Sequence, residues 1–535
     1  MGAPTETVET ARVVRPADAH VTAHVARPTD ALESAHAAQP ADTHVTAHAA
    51  RQANARETAK MTQPPDTYPT APTAPQAAAL AAALGDGWLE GSAGAPYLTD
   101  IMQISGAALG VARPASTADA QALVQAAHTH RITLVPQGAR TGLVGAAVPD
   151  RSGAQCVVSF DRMRRIRALD VANRSITVDA GVLLSELNRA AAEAGLTLPI
   201  DLGSDPSAGG LVGANAGGSR LIKYGDVRRN VLGIEAVLAD AHGTVIDALA
   251  PLRKRNAGFD LKQLFIGAGG ALGLVTAVSF SLAPLERSSY AALVAFASYD
   301  AALAGLLAFE RAFGELLCAF EFMSSRAIAR AAAAFPNLSV PLPDTPAACF
   351  ALVEIASGMP GLDALLETRA LDTLDALVGR GDALDAACAT AERFWRLRDS
   401  LPAAVAQDGL PLSFDVSFAR GALAPFIADT ERWLADTHPA LGCYAFGHFG
   451  DGGCHLVVSI PHACAEQYGA VRQIALRGAL YERVARFGGC FSAEHGVGPA
   501  NLAYYRKYVR AEERAAASAV QCALDPLRLV GRVRY

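Results

Sequence analysis

The sequence predicts an α+β protein of more than one domain. Residues 95–285 alternate short β-branched runs with glycine-rich turns and helical stretches. Residues from 286 to about 440 carry long Ala- and Leu-rich helical patterns with a strand between them. The chain has 535 residues, too long for one ordinary core, and 51% of them are hydrophobic against 18% charged, so most of it can pack.

Residues 1–75 stand apart. They are rich in Ala, Thr, His and Pro, and the run from Pro16 to His24 is echoed from Pro40 to His48. Such composition buries too little apolar surface to offset chain entropy, so a disordered tail is expected. A His-rich metal tract and upstream sequence read from a misplaced start, with Met61 as the alternative start, remain open.

Residues 95–285 form the first expected domain. A helix is expected over 118–130 with Thr117 as N-cap, then a strand over 132–135 ending at Pro136. Another strand covers 175–179 and a helix 183–194; 231–238 and 244–246 pair as a hairpin around residues 240–243. Residues 286–535 form the second domain: helices over 300–313 and 361–377, a strand over 349–356, a strand–turn–strand over 442–460, and a helical segment after Gly498.

Composition narrows the function. The net charge is −6 with no Lys/Arg block, so nucleic acid is not an expected partner. Nine cysteines form no C-x-x-C pair and no disulfide framework. That spacing excludes an iron–sulfur module built on close cysteines and favours a reducing, cytoplasmic location. No stretch has the apolar length of a membrane helix and no secretory signal is visible; peripheral association at the inner face of the membrane stays open.

Four segments concentrate glycine: Pro136-Gln137-Gly138-Ala139-Arg140-Thr141-Gly142-Leu143, the turn at Gly203-Ser204, residues 209–220, and residues 267–275. The first follows a strand and can aim backbone N–H groups at an anion, but lacks the Gly-Lys-Ser/Thr ending of an ATP loop. The fourth has a helical stretch before it and a strand after it, the reverse of a nicotinamide-binding turn. Each alone could be an ordinary turn; together they permit the close backbone approach that a pyrophosphate and a flat ring require.

A second constellation is His448, Asp451 and His455 in a Gly-rich turn, followed later by Glu494-His495. Two His and one Glu suit a divalent metal with an open coordination position; two His capping strand ends beside a surface Glu is the alternative. Arg398, in Trp395-Arg396-Leu397-Arg398, could fork onto a carboxylate or be a solvated helix-face residue.

The glycine segments in this order resemble the FAD-binding domain of the PCMH-type (vanillyl-alcohol-oxidase) flavoproteins. The chain from about 95 onward resembles the branch with D-lactate dehydrogenase, the glycolate oxidase flavin subunit and D-2-hydroxyglutarate dehydrogenase. The resemblance implies FAD between two subdomains, with an α+β cap over the ring. It assigns the pyrophosphate to Gln137 through Leu143, and further cofactor contacts to Pro136, Ser204, Gly210, Gly213, Asn215, Gly217, Gly218, Gly273 and Val275. No His stands in the first loop, where a His is the usual attachment point in covalent relatives, so noncovalent FAD is expected. It also implies His448, His455 and Glu494 as metal ligands, His495 as substrate contact and base, Asp451 as a turn-shaping or supporting residue, and Arg398 as the substrate-carboxylate anchor. Zinc is the first expectation from the N/N/O set, with manganese and iron open.

The chain departs from the pattern at several positions. Gly269 and Ala271 stand where Glu and Thr are common. Pro402, Ser413 and Val457 stand where D-2-hydroxyglutarate dehydrogenases carry Thr, Lys and Asn. The expected activity is therefore metal-assisted, FAD-dependent oxidation of a small D-2-hydroxy acid, lactate-like or apolar, to the 2-oxo acid. A quinone, cytochrome or electron-transfer flavoprotein would accept the electrons, and a homodimer is expected. A flavin oxidase of a non-acidic alcohol, and a flavin-binding subunit of a larger complex, are the alternatives.

Overall fold

The computed structural model of the protein describes residues 74–535. The histidine repeat, Met61 and all but the end of the expected tail lie outside them. The described chain opens with a helix, Ala74–Leu84, that sequence patterning does not announce. Alanine favours the helix, but the apolar signal is nearly uniform; only Leu80 is fully buried, in the core beside Ala120, Leu123 and Val124.

The first sheet contains β1 (Trp88–Leu89), β2 (Gly110–Ala112), β3 (Leu134–Gln137) and β4 (Cys156–Ser159), in the order β1-β2-β4-β3. β4 runs parallel to both β2 and β3. The helix Thr117–His130 is capped by Ser116, not Thr117: the Ser116 Oγ accepts the Asp119 N–H at 3.1 Å. Thr117 instead donates to Glu235 at 2.6 Å. β3 continues through Pro136 because it is an edge strand of this sheet, where a missing N–H costs no ladder bond.

Residues 166–284 supply β5 (Ile166–Asp170), β6 (Ser175–Asp179), β7 (Leu196–Thr197), β8 (Val231–Val237), β9 (Val245–Ala248), β10 (Leu274–Ser281) and β11 (Ala283–Pro284). Five form an antiparallel sheet in the order β5-β6-β10-β8-β9, while β7 pairs with β11. The expected hairpin is β8–β9; Asp240 closes its turn by accepting the His242 and Thr244 N–H groups.

The cap is a seven-stranded antiparallel sheet: β12 (Ser288–Phe296), β13 (Leu317–Ser324), β14 (Cys349–Ser357), β15 (Ala383–Ala389), β16 (Leu410–Ser417), β17 (Gly442–His448) and β18 (Gly453–Ile460). Its order is β15-β12-β14-β13-β17-β18-β16. One face packs on Phe309, Leu374 and Phe426; the other packs on Phe394, Leu397 and Leu401 of the helix Ala391–Ala406. Central strands are thus buried on both sides, which erases the alternation that marks a half-exposed strand; every residue of β13 is buried.

The last helices, Leu502–Tyr508 and Ala511–Leu524, lead the chain back to the first domain. Leu134 N–H donates to the Leu529 carbonyl and Gly531 N–H to the Leu134 carbonyl. Buried Val530 joins the core beneath β3. Residues assigned by sequence to the second domain therefore cover an edge of the first, because the apolar tail needs that burial. Among the described residues, no helix is long and apolar enough to cross a membrane.

Candidate active site

A cavity of about 860 Å³ lies where the two halves meet. It is lined by all four glycine segments, by one face of the helix Ala391–Ala406, by the tip of β17–β18 and by residues 494–498. Pro136 through Leu143, Ser204, Gly210, Gly213, Gly217, Gly218, Gly273 and Val275 all face it, as do Arg398, His448, His455, Glu494 and His495.

The glycine end is built on backbone. Ser207 caps the helix Ala208–Ala214 through Gly210 N–H at 3.2 Å. A Cβ on Gly138 would stand 2.2 Å from that Ser207 Oγ, so the first loop and the helix start can approach only without a side chain there. A Cβ on Gly142 or Gly203 would meet no protein atom, and both line the cavity. This is a cradle for a ligand that must lie against the main chain. Gln137 holds the loop by donating to the Tyr97 and Ala147 carbonyls at 2.8 and 2.7 Å.

Asn215 is the exception among the expected flavin contacts. It does not line the cavity. It ends the helix Ala208–Ala214 in the left-handed region (φ 49°), donates to Asp226 at 2.8 Å and accepts Arg228 N–H at 2.9 Å. Asparagine is used here as a helix stop.

The other end is built on charged side chains. β17 delivers His448 at its last position and β18 delivers His455. Gly447, at φ 135°, lets the two rings meet: a Cβ there would lie 3.3 Å from the His455 ring. Asp451 accepts the Gly453 N–H at 2.8 Å and shapes the turn between them. Asp415, buried on β16 opposite His455, accepts the N–H groups of both Glu494 and His495 at 2.9 Å and so positions that loop. His448 Nε2 is 3.1 Å from Glu494 Oε1, and one donor atom from each of His448, His455 and Glu494 lies within 4.8 Å of the others. The His495 ring is nearly parallel to that of His455, at 6.3 Å, and its Nδ1 is 3.5 Å from Asp415.

Arg398 reaches the same spot from the cap helix. Its Nε donates to Glu321 Oε2 at 2.9 Å while its guanidinium lies 5.6 Å over the Phe446 ring. The second oxygen of Glu321 is 2.5 Å from His448 Nδ1. Sequence reasoning missed Glu321, which sits in a strand with no periodic signal. It also missed Asp415, whose place opposite His455 is set by strand register and carries no local sequence signal.

Electrostatics follow the geometry. Burial alone would raise Glu321, yet His448 and Arg398 hold its carboxyl down to about 2. Burial opposes charge on His448, but Glu321 and Glu494 outweigh it and raise the imidazole well above its usual range. Burial works against Glu494 too, and the neighbouring histidines hold it well below the usual carboxylate range. Desolvation drops His455 to about 4 against the pull of Glu494, leaving a neutral nitrogen donor. The site thus pairs a field that favours positive charge with two nitrogens and one carboxylate oxygen within coordinating reach, a donor set that fits a divalent metal.

Comparison with known proteins agrees with this architecture. Residues 108–248 match the FAD binding domain family and residues 285–532 match the family of FAD linked oxidases, C-terminal domain. The fold resembles p-cresol methylhydroxylase with substrate bound, at 19% identity and a TM-score of 0.66 over 86% of this chain and 96% of that one. The two family matches define an FAD-dependent oxidoreductase of the FAD-linked oxidase class. Among curated relatives, the probable mitochondrial D-2-hydroxyglutarate dehydrogenase of Oryza sativa subsp. japonica is 34% identical over 77% of this chain and 72% of that protein. The D-2-hydroxyglutarate dehydrogenase of Xanthomonas citri pv. viticola is 31% identical over 78% and 87%. The chain belongs to the FAD-linked oxidase superfamily, in the branch of the D-2-hydroxyglutarate dehydrogenases.

Proposed function

We propose that the protein oxidises a D-2-hydroxy acid bearing a single carboxylate to the 2-oxo acid, with a divalent metal, zinc first, held by His448, His455 and Glu494. The observation that carries this is one cavity shared by the glycine cradle, the His/His/Glu set and Arg398. Arg398 holds the substrate carboxylate through its Nη groups, since its Nε already serves Glu321. The metal, when bound, supplies Lewis acidity to the 2-hydroxyl. His495 takes the hydroxyl proton, with Asp415 beside its Nδ1. FAD held along Pro136–Leu143 and the facing glycines would supply the acceptor for the hydride of C2, and a quinone, cytochrome or electron-transfer flavoprotein would serve as the final electron acceptor.

The preference for one carboxylate rests on Pro402, which lines the cavity at a position where the D-2-hydroxyglutarate dehydrogenase pattern has a polar Thr. Ser413 and Val457 are directly opposed across β16–β18, two residues beyond the Asp415–His455 pair, and stand outside the cavity lining. The wall that carries Arg398 also presents Glu392, and like charge opposes a second carboxylate.

Anaerobic flavin bleaching tests this. D-lactate or a longer apolar D-2-hydroxy acid should bleach the flavin faster than D-2-hydroxyglutarate. Arg398→Ala should raise the substrate KM roughly 10- to 100-fold, the worth of a charge-assisted contact. Faster bleaching by the dicarboxylate overturns the substrate preference, and an Arg398→Ala enzyme of unchanged KM points to a non-acidic alcohol.

A further inference from the structure

We propose that Glu321 is a positioning residue that ties the metal ligand His448 to the substrate anchor Arg398, so that the two halves of the reaction site are set by one carboxylate. This rests on the function proposed above. Glu321 lies directly opposite His448 in the β13–β17 register, and only 1% of it is exposed. Its neighbours Phe320 and Phe322 point into the aromatic core on the other face, so the strand cannot rotate to release it.

Both carboxylate oxygens are committed. Oε1 takes His448 Nδ1 and Oε2 takes Arg398 Nε. Occupying Nδ1 fixes which tautomer His448 presents, leaving Nε2 toward Glu494 and His455. Occupying Nε fixes the guanidinium plane, leaving its Nη edge for a carboxylate. A single rigid group therefore sets the distance between the place for the hydroxyl and the place for the carboxylate of the same small substrate. Mispositioning either by about 1 Å costs heavily in rate.

An amide keeps the shape of Glu321 but can accept from only one of the two donors. Glu321→Gln should lower Zn²⁺ affinity of the FAD-loaded protein about 10- to 100-fold in equilibrium dialysis, and raise hydroxy-acid KM as well. A variant that fails to retain FAD is replaced by a second reading on Arg398→Lys. That change keeps the charge, removes the planar Nε–H contact to Glu321, and touches no metal ligand. It should weaken Zn²⁺ binding several-fold. Zn²⁺ affinity equal to wild type in folded Glu321→Gln, or in Arg398→Lys where the first variant does not fold, overturns the proposal while the metal reading stands. A wild-type protein that takes up no Zn²⁺ overturns the metal reading and this inference with it.

Discussion

The two ends of the cavity are made of different materials. The glycine end is main chain, brought close by glycines whose missing side chains leave room. The charged end is side chain, with carboxylates, imidazoles and a guanidinium holding one another on a rigid sheet. The first end is governed by van der Waals contact and backbone conformation, the second by charge complementarity in a buried place. The two should therefore fail separately.

The largest expected effect breaks the charged end alone. His448→Ala removes a proposed metal ligand and leaves buried Glu321 and half-buried Glu494 without their shared partner. It should lower kcat/KM roughly a thousand-fold, the order of a lost Lewis acid, and abolish metal uptake. The ratio of flavin to protein absorbance should stay at the wild-type value. Loss of flavin together with metal would show that the two ends are not separable.

The converse change attacks the backbone end. Gly138→Ala places a Cβ 2.2 Å from the Ser207 Oγ and must displace that cap. A lost N-cap costs about 1 kcal/mol, and the displaced loop lines the cavity, so FAD affinity should fall about 5-fold or more. Zn²⁺ affinity should be unchanged. Titration of the apoprotein with FAD checks the first statement and dialysis the second; tight FAD binding in this variant would remove the steric account of the cradle.

This contrast also explains what the sequence made legible. Glycine clusters announce themselves because few other demands gather so many of them, and the His448–His455 hairpin shows its chemistry in residue type. Asn215 was ambiguous because the same residue type serves a helix stop as readily as a ligand contact. Glu321 was invisible because β13 is buried on both faces and shows no alternation. Its partners, His448 and Arg398, are 127 and 77 residues away in the chain. The same long-range closure hid the return of Leu529–Val530 to β3. Pairings across such distances are fixed by sheet order, which local pattern does not carry.

A smaller effect sharpens the comparison through two buried carboxylates with opposite fates. Glu321 faces two cationic groups and is held down to about 2. Asp100 stands beside the flavin end, next to cavity-lining Ile101; it accepts Ile104 N–H at 2.9 Å, and its second oxygen has no hydrogen-bond partner among the described residues. Burial pushes Asp100 up to about 6 from an ordinary 3.8, despite its backbone hydrogen bonds. A raised folded-state value means the protonated form is favoured by folding. That contribution is complete below the unfolded value and is lost as pH rises through about 6. Asp100→Asn removes the penalty of ionisation without changing shape. Its thermal midpoint relative to wild type should therefore climb by a few degrees between acid and neutral pH, the yield of about 3 kcal/mol in a chain of this size. The same scan with a pH-independent difference would show that water reaches the second oxygen of Asp100. In that case the backbone end would be wetter at this carboxylate than its burial implies.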